Sequence, residues 1–223
     1  MSASAIQKRS WHGLKTVLFL VGSCAIVVSV FGAQPTTDAP IPFGYKMAWY
    51  AVRTTNAQAV AETLNLKSQH PANWKEGYKE AYGGEGVFVS PPVSGWVFVV
   101  GTPIFPDLTS ADKEKCLTRL KVLSERFGEA QLFATHRGVS SHAWAKAVQG
   151  SLSRAFGYNG DQGQDVWNVG KETEDEVGLG FKFSAGKEPD EEDVMKLAGR
   201  WSVNPQHIDS LRVPPALGII GKL

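Results

Sequence analysis

Two histidines, His136 and His142, are the residues whose type and spacing come closest to a chemical site. They are six positions apart in a stretch typical of two short strands joined by a turn. If that turn is centred on Val139, the two imidazoles face each other across the strand pair. Facing imidazoles can ligate zinc or act as acid and base, which indicates a hydrolase, metal-assisted if a third ligand lies nearby. The alternative is a pair of polar strand residues that are hydrogen-bonded or solvated.

Asp161 and Asp165 form a second candidate metal site, because they lie with Asn159 in a glycine-rich segment. Alternating oxygen ligands are the arrangement that calcium prefers. The segment lacks the glycine and glutamate positions of an EF-hand loop, so an ordinary hairpin turn is the competing interpretation. We predict no cofactor, since the sequence contains neither a phosphate-binding loop nor a dinucleotide-binding motif.

Candidate ligand-binding residues come from an aromatic stripe and from one cation. Trp74, Tyr78 and Tyr82 recur every four residues in a predicted helix, where they could stack on a sugar or contact a partner protein. Packing in the core is the alternative for this stripe. Arg137 lies between the two histidines and could bind an anionic ligand, or it could simply cover an exposed sheet face.

The elements that position these residues follow from hydrophobic periodicity and turn chemistry. We predict strands at 47–52, 87–89, 96–100, 130–136, 143–148, 152–158 and 165–169. We predict helices after Thr55, after Asn73, at 110–127 and after Asp190. Because hairpins join most of the strands, the fold class is α+β, with an antiparallel or mixed β-sheet and about four helices packed mainly on one face.

Composition and length exclude several classes of protein. The 223 residues are 43% hydrophobic and 20% charged, which is globular composition. With 23 basic and 22 acidic side chains, the chain has no positive field for phosphate backbones, so nucleic acid is not an expected partner. The length suits a single α+β domain at 43–213, followed by a C-terminal tail at 214–223.

The first 42 residues predict the compartment. Residues 1–15 are a basic n-region, 16–33 are an uncharged transmembrane anchor or signal h-region, and 34–42 are a Pro-rich spacer. Because the cations precede the apolar run, the n-region is expected in the cytoplasm and the domain outside it, anchored to the inner membrane. The alternatives are a cleaved signal, which gives a secreted or periplasmic protein, and a lipid anchor at Cys24.

Two functions are compatible with these features. The first is a membrane-tethered extracytoplasmic module of a bacterial envelope, which binds a protein or glycan ligand or protects the cell without catalysis. The anchor, the spacer and the lack of a complete catalytic constellation favour it. The second is an exported hydrolase, metal-assisted or not, that uses His136 and His142.

Overall fold

Nine strands form one antiparallel sheet in the computed structural model, which describes residues 35–104, 112–181 and 188–223. The strands are β1 (Met47–Val52), β2 (Lys67–Ala72), β3 (Val87–Val89), β4 (Val97–Val100), β5 (Glu129–His136), β6 (Ser141–Val148), β7 (Ser151–Asn159), β8 (Gln164–Val169) and β9 (Gly218–Lys222). Their order across the sheet is β2-β9-β3-β4-β1-β5-β6-β7-β8. The α+β class and the antiparallel sheet are therefore confirmed.

Strand β1 lies at the centre of the sheet and is buried on both faces. It pairs with β4 on one side and β5 on the other, and all six of its residues are buried. Trp49 packs on one face with Phe133 and Trp144, whereas Tyr50 lies on the other. We call the face of Trp49, Phe133 and Trp144 the aromatic face. An almost wholly apolar strand needs this two-sided cover, because alternate side chains point to opposite faces.

Helices cover both faces, which corrects the expectation that they pack mainly on one. The helices are α1 (Ala57–Thr63), α2 (Trp74–Gly83), α3 (Asp112–Phe127), α4 (Glu174–Gly178) and α5 (Glu191–Trp201). Apolar residues of α2 and α5 belong to the cluster on the aromatic face, and those of α1 and α3 belong to the cluster on the opposite face. A sheet whose central strands are apolar on both sides exposes too much hydrocarbon unless both sides are covered.

The segment predicted as a spacer at 34–42 contacts the domain from Thr36 onward, where the Thr36 carbonyl accepts a hydrogen bond from the Asn73 side chain. The Asp38 carboxylate accepts hydrogen bonds from the backbone N–H groups of Trp74 (2.6 Å) and Lys75 (3.0 Å), at the start of α2. Helix N-termini carry unpaired N–H groups and favour a negative charge, so this contact stabilises α2. Asp38 also forms an isolated bridge with Ala216, which joins the segment to the C-terminal region.

The C-terminal region expected to be a tail, 214–223, contributes a strand to the sheet instead. Strand β9 pairs antiparallel with β2 and with β3, between which it lies. The domain therefore extends beyond the predicted boundary at 213. Strand β2, on the outer side of β9, is exposed along most of its length, which explains why its sequence lacks a strand pattern.

The predicted membrane segment cannot be compared with the structure. Residues 1–15 and 16–33, including Cys24, lie outside the described residues. Within the ranges that are described, no helix combines the length and the apolarity needed to cross a bilayer.

Candidate functional site

The turn between β5 and β6 determines where the two histidines point. Thr135, not His136, lies opposite His142 in the ladder, and His136 lies opposite Ser141. Residues paired across a ladder share a face, and neighbouring residues alternate. His142 therefore lies on the aromatic face and His136 on the opposite one, which corrects the expectation that the two imidazoles face each other.

A row of polar residues crosses four neighbouring strands at this end of the aromatic face. Thr135 of β5 is paired with His142 of β6, His142 with Tyr158 of β7, and Tyr158 with Asp165 of β8. Directly paired residues have adjacent Cβ atoms, so four different polar groups lie side by side. We call Thr135, His142, Tyr158 and Asp165 the polar row.

His142 is the most enclosed titratable group of the polar row. Only 3% of the residue is exposed, and its Nδ1 lies 2.9 Å from the Thr135 hydroxyl. The pKa of His142 is lowered to about 4, mainly by burial, with the carboxylates of Asp190 and Asp193 acting in the opposite direction and neighbouring His136 adding a smaller lowering effect. The imidazole is therefore neutral at pH 7.

Helix α5 brings a set of carboxylates to the polar row. Its C-terminal end is fastened to the sheet, because Trp201 packs on Phe133 at 5.7 Å between ring centroids and its carbonyl accepts a hydrogen bond from Gln131. Its N-terminal end lies near His142 and begins with a capping box formed by Asp190 and Asp193. The sequence pattern predicted this helix and its cap, and both are confirmed.

A concave pocket of about 580 Å³ opens between this end of α5 and the turn that follows β5. Its described lining consists of Tyr45, Arg137, Ser140, His142, Glu188, Pro189, Asp190, Glu191 and Glu192. Two residues singled out from the sequence, Arg137 and His142, thus lie in the same pocket. His136 is outside this lining.

The charges of the pocket are predominantly negative. Four carboxylates and one guanidinium belong to the described lining. The guanidinium of Arg137 lies 3.9 Å from the nearer carboxylate oxygen of Glu191, a long ion pair. Glu188 accepts a hydrogen bond from the Tyr158 hydroxyl, and this contact, with burial and the Asp165 charge, raises the pKa of Tyr158 to about 12. An anionic ligand for Arg137 is disfavoured by these surroundings.

The predicted aromatic stripe of α2 splits between core and surface. Trp74 is 1% exposed and packs edge-on against Phe88 at 5.5 Å between ring centroids. Tyr78 is partly buried against Phe43, whereas Tyr82 is 49% exposed. Tyr78 and Tyr82 stack on each other at 6.1 Å, so the stripe does not form a single stacking platform.

The other predicted metal ligands lie apart from the pocket. Asp161 lies in the turn between β7 and β8, and both it and Asp165 are exposed. Asp165 belongs to the polar row, because it is paired with Tyr158. Over the parts of the chain that the structure describes, no group of three or more histidine, cysteine or acidic side chains is placed to hold a metal ion.

A buried ion pair on the aromatic face was missed by the sequence analysis. The Arg154 Nε donates to both carboxylate oxygens of Glu176, at 2.9 and 3.1 Å, and both side chains are at most 1% exposed. Glu176 also accepts hydrogen bonds from Trp144 and Thr173, and Arg154 donates to Asn168. Because its partners are all supplied by the fold, this pair has a structural role.

The residues of this candidate site that sequence reasoning missed are Thr135, Tyr158, Glu188 and Glu191. The acidic run at 188–193 is typical of a solvated segment, and the packing of α5 turns part of it towards the sheet. The strand pattern held a signal for Thr135 and Tyr158, since the correct hairpin registers place both beside His142. Comparisons of this chain with protein-family models, curated proteins and solved structures give no significant match.

Proposed function

We propose that this chain is a non-catalytic binding module, tethered to a membrane through residues 16–33, whose pocket at the start of α5 holds a protein or surface ligand. The pocket is the observation that carries this proposal. It combines a concave shape with the buried His142 and several convergent charged side chains, which are groups that can fix the orientation of a ligand.

The surroundings of His142 favour binding over general-base catalysis. A catalytic imidazole is ordinarily held by a carboxylate that stabilises the imidazolium formed during the reaction. The His142 Nδ1 instead contacts the neutral hydroxyl of Thr135. A ring with a pKa of about 4 is also a weak base at pH 7. The imidazole is better suited to donating or accepting one fixed hydrogen bond.

The extracytoplasmic location is part of the same proposal. It is supported by the basic residues before the uncharged run at 16–33. A reporter enzyme that is active only outside the cytoplasm, fused through a flexible linker to Leu223 of the full chain, is expected to be active. If a reporter that is active only inside the cytoplasm is active at this position instead, the extracytoplasmic location and the envelope role are both contradicted.

Site-specific photo-crosslinking tests whether the pocket binds the ligand. Tyr45 lines the pocket and is 45% exposed, so a photoreactive phenylalanine analogue there is expected to capture the ligand in intact cells. Tyr82 is exposed to a similar degree but lies on α2, outside the pocket lining, and is the matched control position. Glu188→Lys is expected to abolish the adduct at 45, whereas Glu172→Lys, at an exposed site, leaves it unchanged.

The result that overturns the pocket as ligand site is equally specific. An adduct at position 82 alone would move the ligand surface to the aromatic stripe of α2. An adduct at 45 that persists unchanged in Glu188→Lys would show capture by chance proximity.

Hydrolysis by His136 and His142 is the second candidate, because His142 does line a pocket with carboxylates. The ladder register separates the two rings, so His142 would act without its predicted partner. The two functions differ in the state of the ligand captured at position 45. Binding predicts an intact ligand, whereas hydrolysis predicts a cleaved one that becomes intact in His142→Gln.

A further inference from the structure

Glu191 is a desolvated carboxylate whose hydrogen-bonding capacity is only partly used. Only 13% of its side chain is exposed, and its ion-pair partner among the described residues is Arg137, at 3.9 Å. Its Oε1 is shielded from solvent and accepts no hydrogen bond from any residue that the structure describes. A buried carboxylate oxygen without a hydrogen-bond donor destabilises the free protein. A ligand that donates a hydrogen bond to this oxygen removes that penalty and therefore binds more tightly.

Arg137 occupies this position without being fixed in it. Its side chain is 65% exposed, and an ion pair at 3.9 Å with so exposed a partner is weak. The guanidinium lies on the 3-10 turn Arg137–Val139, which ends at Ser140 in a left-handed conformation. The turn thus places the guanidinium of Arg137 beside Glu191, at the position that the cation of a ligand could occupy.

His142 gives a second, independent indication of a ligand. Only 3% of the residue is exposed, it lines the pocket, and its Nδ1 forms a hydrogen bond with the Thr135 hydroxyl. Among residues 35–104, 112–181 and 188–223, the Thr135 hydroxyl is the hydrogen-bond partner of the ring, and no group hydrogen-bonds Nε2. A buried ring with one unused nitrogen beside a pocket has a hydrogen bond available for a ligand. Being neutral, the ring does not repel a cation.

Resting on the proposed binding function, we propose that this pocket recognises a basic side chain of a protein partner. The partner's guanidinium or ammonium group pairs with Glu191 and displaces Arg137, and His142 Nε2 contacts the polar end of the same side chain. Arginine is favoured over lysine, because the internal occupant is itself a guanidinium and a planar fork of donors suits a carboxylate with a free oxygen. The remaining carboxylates of the lining supply a negative field that attracts the cation.

The test measures the binding of small probes to the full chain in detergent micelles. Binding is monitored through the NMR signals of the histidine ring protons. The probes are Nα-acetyl-arginine methylamide, its lysine counterpart, and the citrulline counterpart, which keeps the shape of arginine without its charge. We expect the arginine probe to bind about tenfold more tightly than the citrulline probe, a difference typical of a charge-assisted hydrogen bond.

Three variants assign the effect to the proposed groups. Glu191→Gln is expected to weaken binding of the arginine probe about tenfold, because the ion-pair partner is lost. Arg137→Gln is expected to tighten binding by about threefold, since the internal competitor is removed. Glu125→Gln removes the same type of charge from an exposed position on α3, on the opposite face, and should change nothing.

Each contrary outcome has a defined meaning. Equal binding of the citrulline and arginine probes, or weaker binding in Arg137→Gln, would overturn the proposal. Tighter binding of the methyl glycoside of glucosamine than of either amino-acid probe would transfer the site to an amine-bearing glycan and overturn the protein partner. If the crosslink at position 45 persists while the cationic probes fail, the binding function survives and only the ligand class is lost.

Discussion

Arg154 and Glu176 show how an individual residue can be misinterpreted from sequence. Arg154 lies in a predicted strand and Glu176 in an acidic run, and neither local pattern indicates a buried charge. Both are buried and satisfy each other. Because removing one partner leaves an uncompensated buried charge, Glu176→Gln is expected to destabilise the protein by about 3–5 kcal/mol. Urea unfolding followed by tryptophan fluorescence measures this change.

A matched substitution and a double variant isolate the effect of burial. Glu192→Gln also breaks an ion pair, with Lys196, but Glu192 is 73% exposed, so the expected cost is below about 0.5 kcal/mol. The double variant Arg154→Met/Glu176→Leu leaves no charge unpaired and should unfold at a higher urea concentration than Glu176→Gln. The burial argument fails if Glu176→Gln and Glu192→Gln cost the same.

His142 makes the stability of the domain depend on pH in a defined window. Its pKa is about 4 in the folded chain and about 6.5 when unfolded, so the unfolded state takes up the proton first as the pH falls. Stability is therefore full above pH 6.5 and declines as the pH falls towards 4, by about 3 kcal/mol in total. Unfolding midpoints measured across this range follow the change.

Comparison with variants separates His142 from the carboxylates near it. Because the carboxylates of Asp190 and Asp193 act electrostatically on the ring, the wild-type profile alone does not isolate the contribution of His142. The difference between wild type and His142→Gln isolates the histidine, and this difference should disappear above pH 6.5. His70→Gln, at an exposed position on the edge strand, should preserve the wild-type slope.

At the scale of elements, a single residue of register separates the predicted site from the observed one. The strands that contain the two histidines were predicted correctly, but the turn was centred on Val139. The observed pairing of Thr135 with His142 shifts that centre by half a residue and the partner by one. Because side chains alternate with a period of two, a shift of one position moves a residue to the other face. The structure thereby exchanges His136 for Thr135 as the neighbour of His142.

Helix α2 packs closely against the sheet because Gly77 has no side chain. A Cβ added there would lie 2.1 Å from the ring of Phe88, which itself contacts Trp74. Gly77→Ala is expected to destabilise the domain by about 2 kcal/mol, because an overpacked contact outweighs the better helix propensity of alanine. Gly83 lies in the same helix and has no atom within 4 Å of its added Cβ.

Thermal unfolding of the two variants distinguishes packing from propensity. Gly83→Ala should be neutral or stabilising by up to about 1 kcal/mol, since only propensity changes. Equal effects of the two substitutions would mean that the Gly77 contact does not determine the position of α2.

At the scale of the whole molecule, the last strand closes the sheet. Strand β9 fills the space between β2 and β3, and Ile220 is 5% exposed on the aromatic face. Deleting 214–223 is therefore expected to abolish cooperative unfolding, because β3 loses one of its two ladder partners and β2 loses its pairing with β9. Hydrogen exchange is expected to show loss of protection in β2 and β3.

A shorter deletion is the control for the effect of shortening the chain without removing β9. Removing Leu223 alone takes away a residue that is 37% exposed and follows β9, so the melting temperature should stay unchanged. A chain without 214–223 that still melts cooperatively at the wild-type temperature would mean that the sheet is stable without β9.

The sequence by itself determined the features whose causes are local. Strong periodicity and capping residues predicted β1, the hairpin of β3 and β4, the strands β5 to β8, and α5 with its Asp190 cap, and the structure confirms each. Capping and alternation depend on residues a few positions apart, so a single chain displays them.

Only the tertiary structure decided the features whose causes lie far apart in the chain. The register at the turn after β5, the burial of Arg154 against Glu176, the insertion of β9 and the second helical layer all depend on distant partners. The pocket is of this kind as well, because α5 meets the start of β6 from about 50 residues away along the chain. Such contacts are selected by the shape and free energy of the whole core, which no local pattern contains.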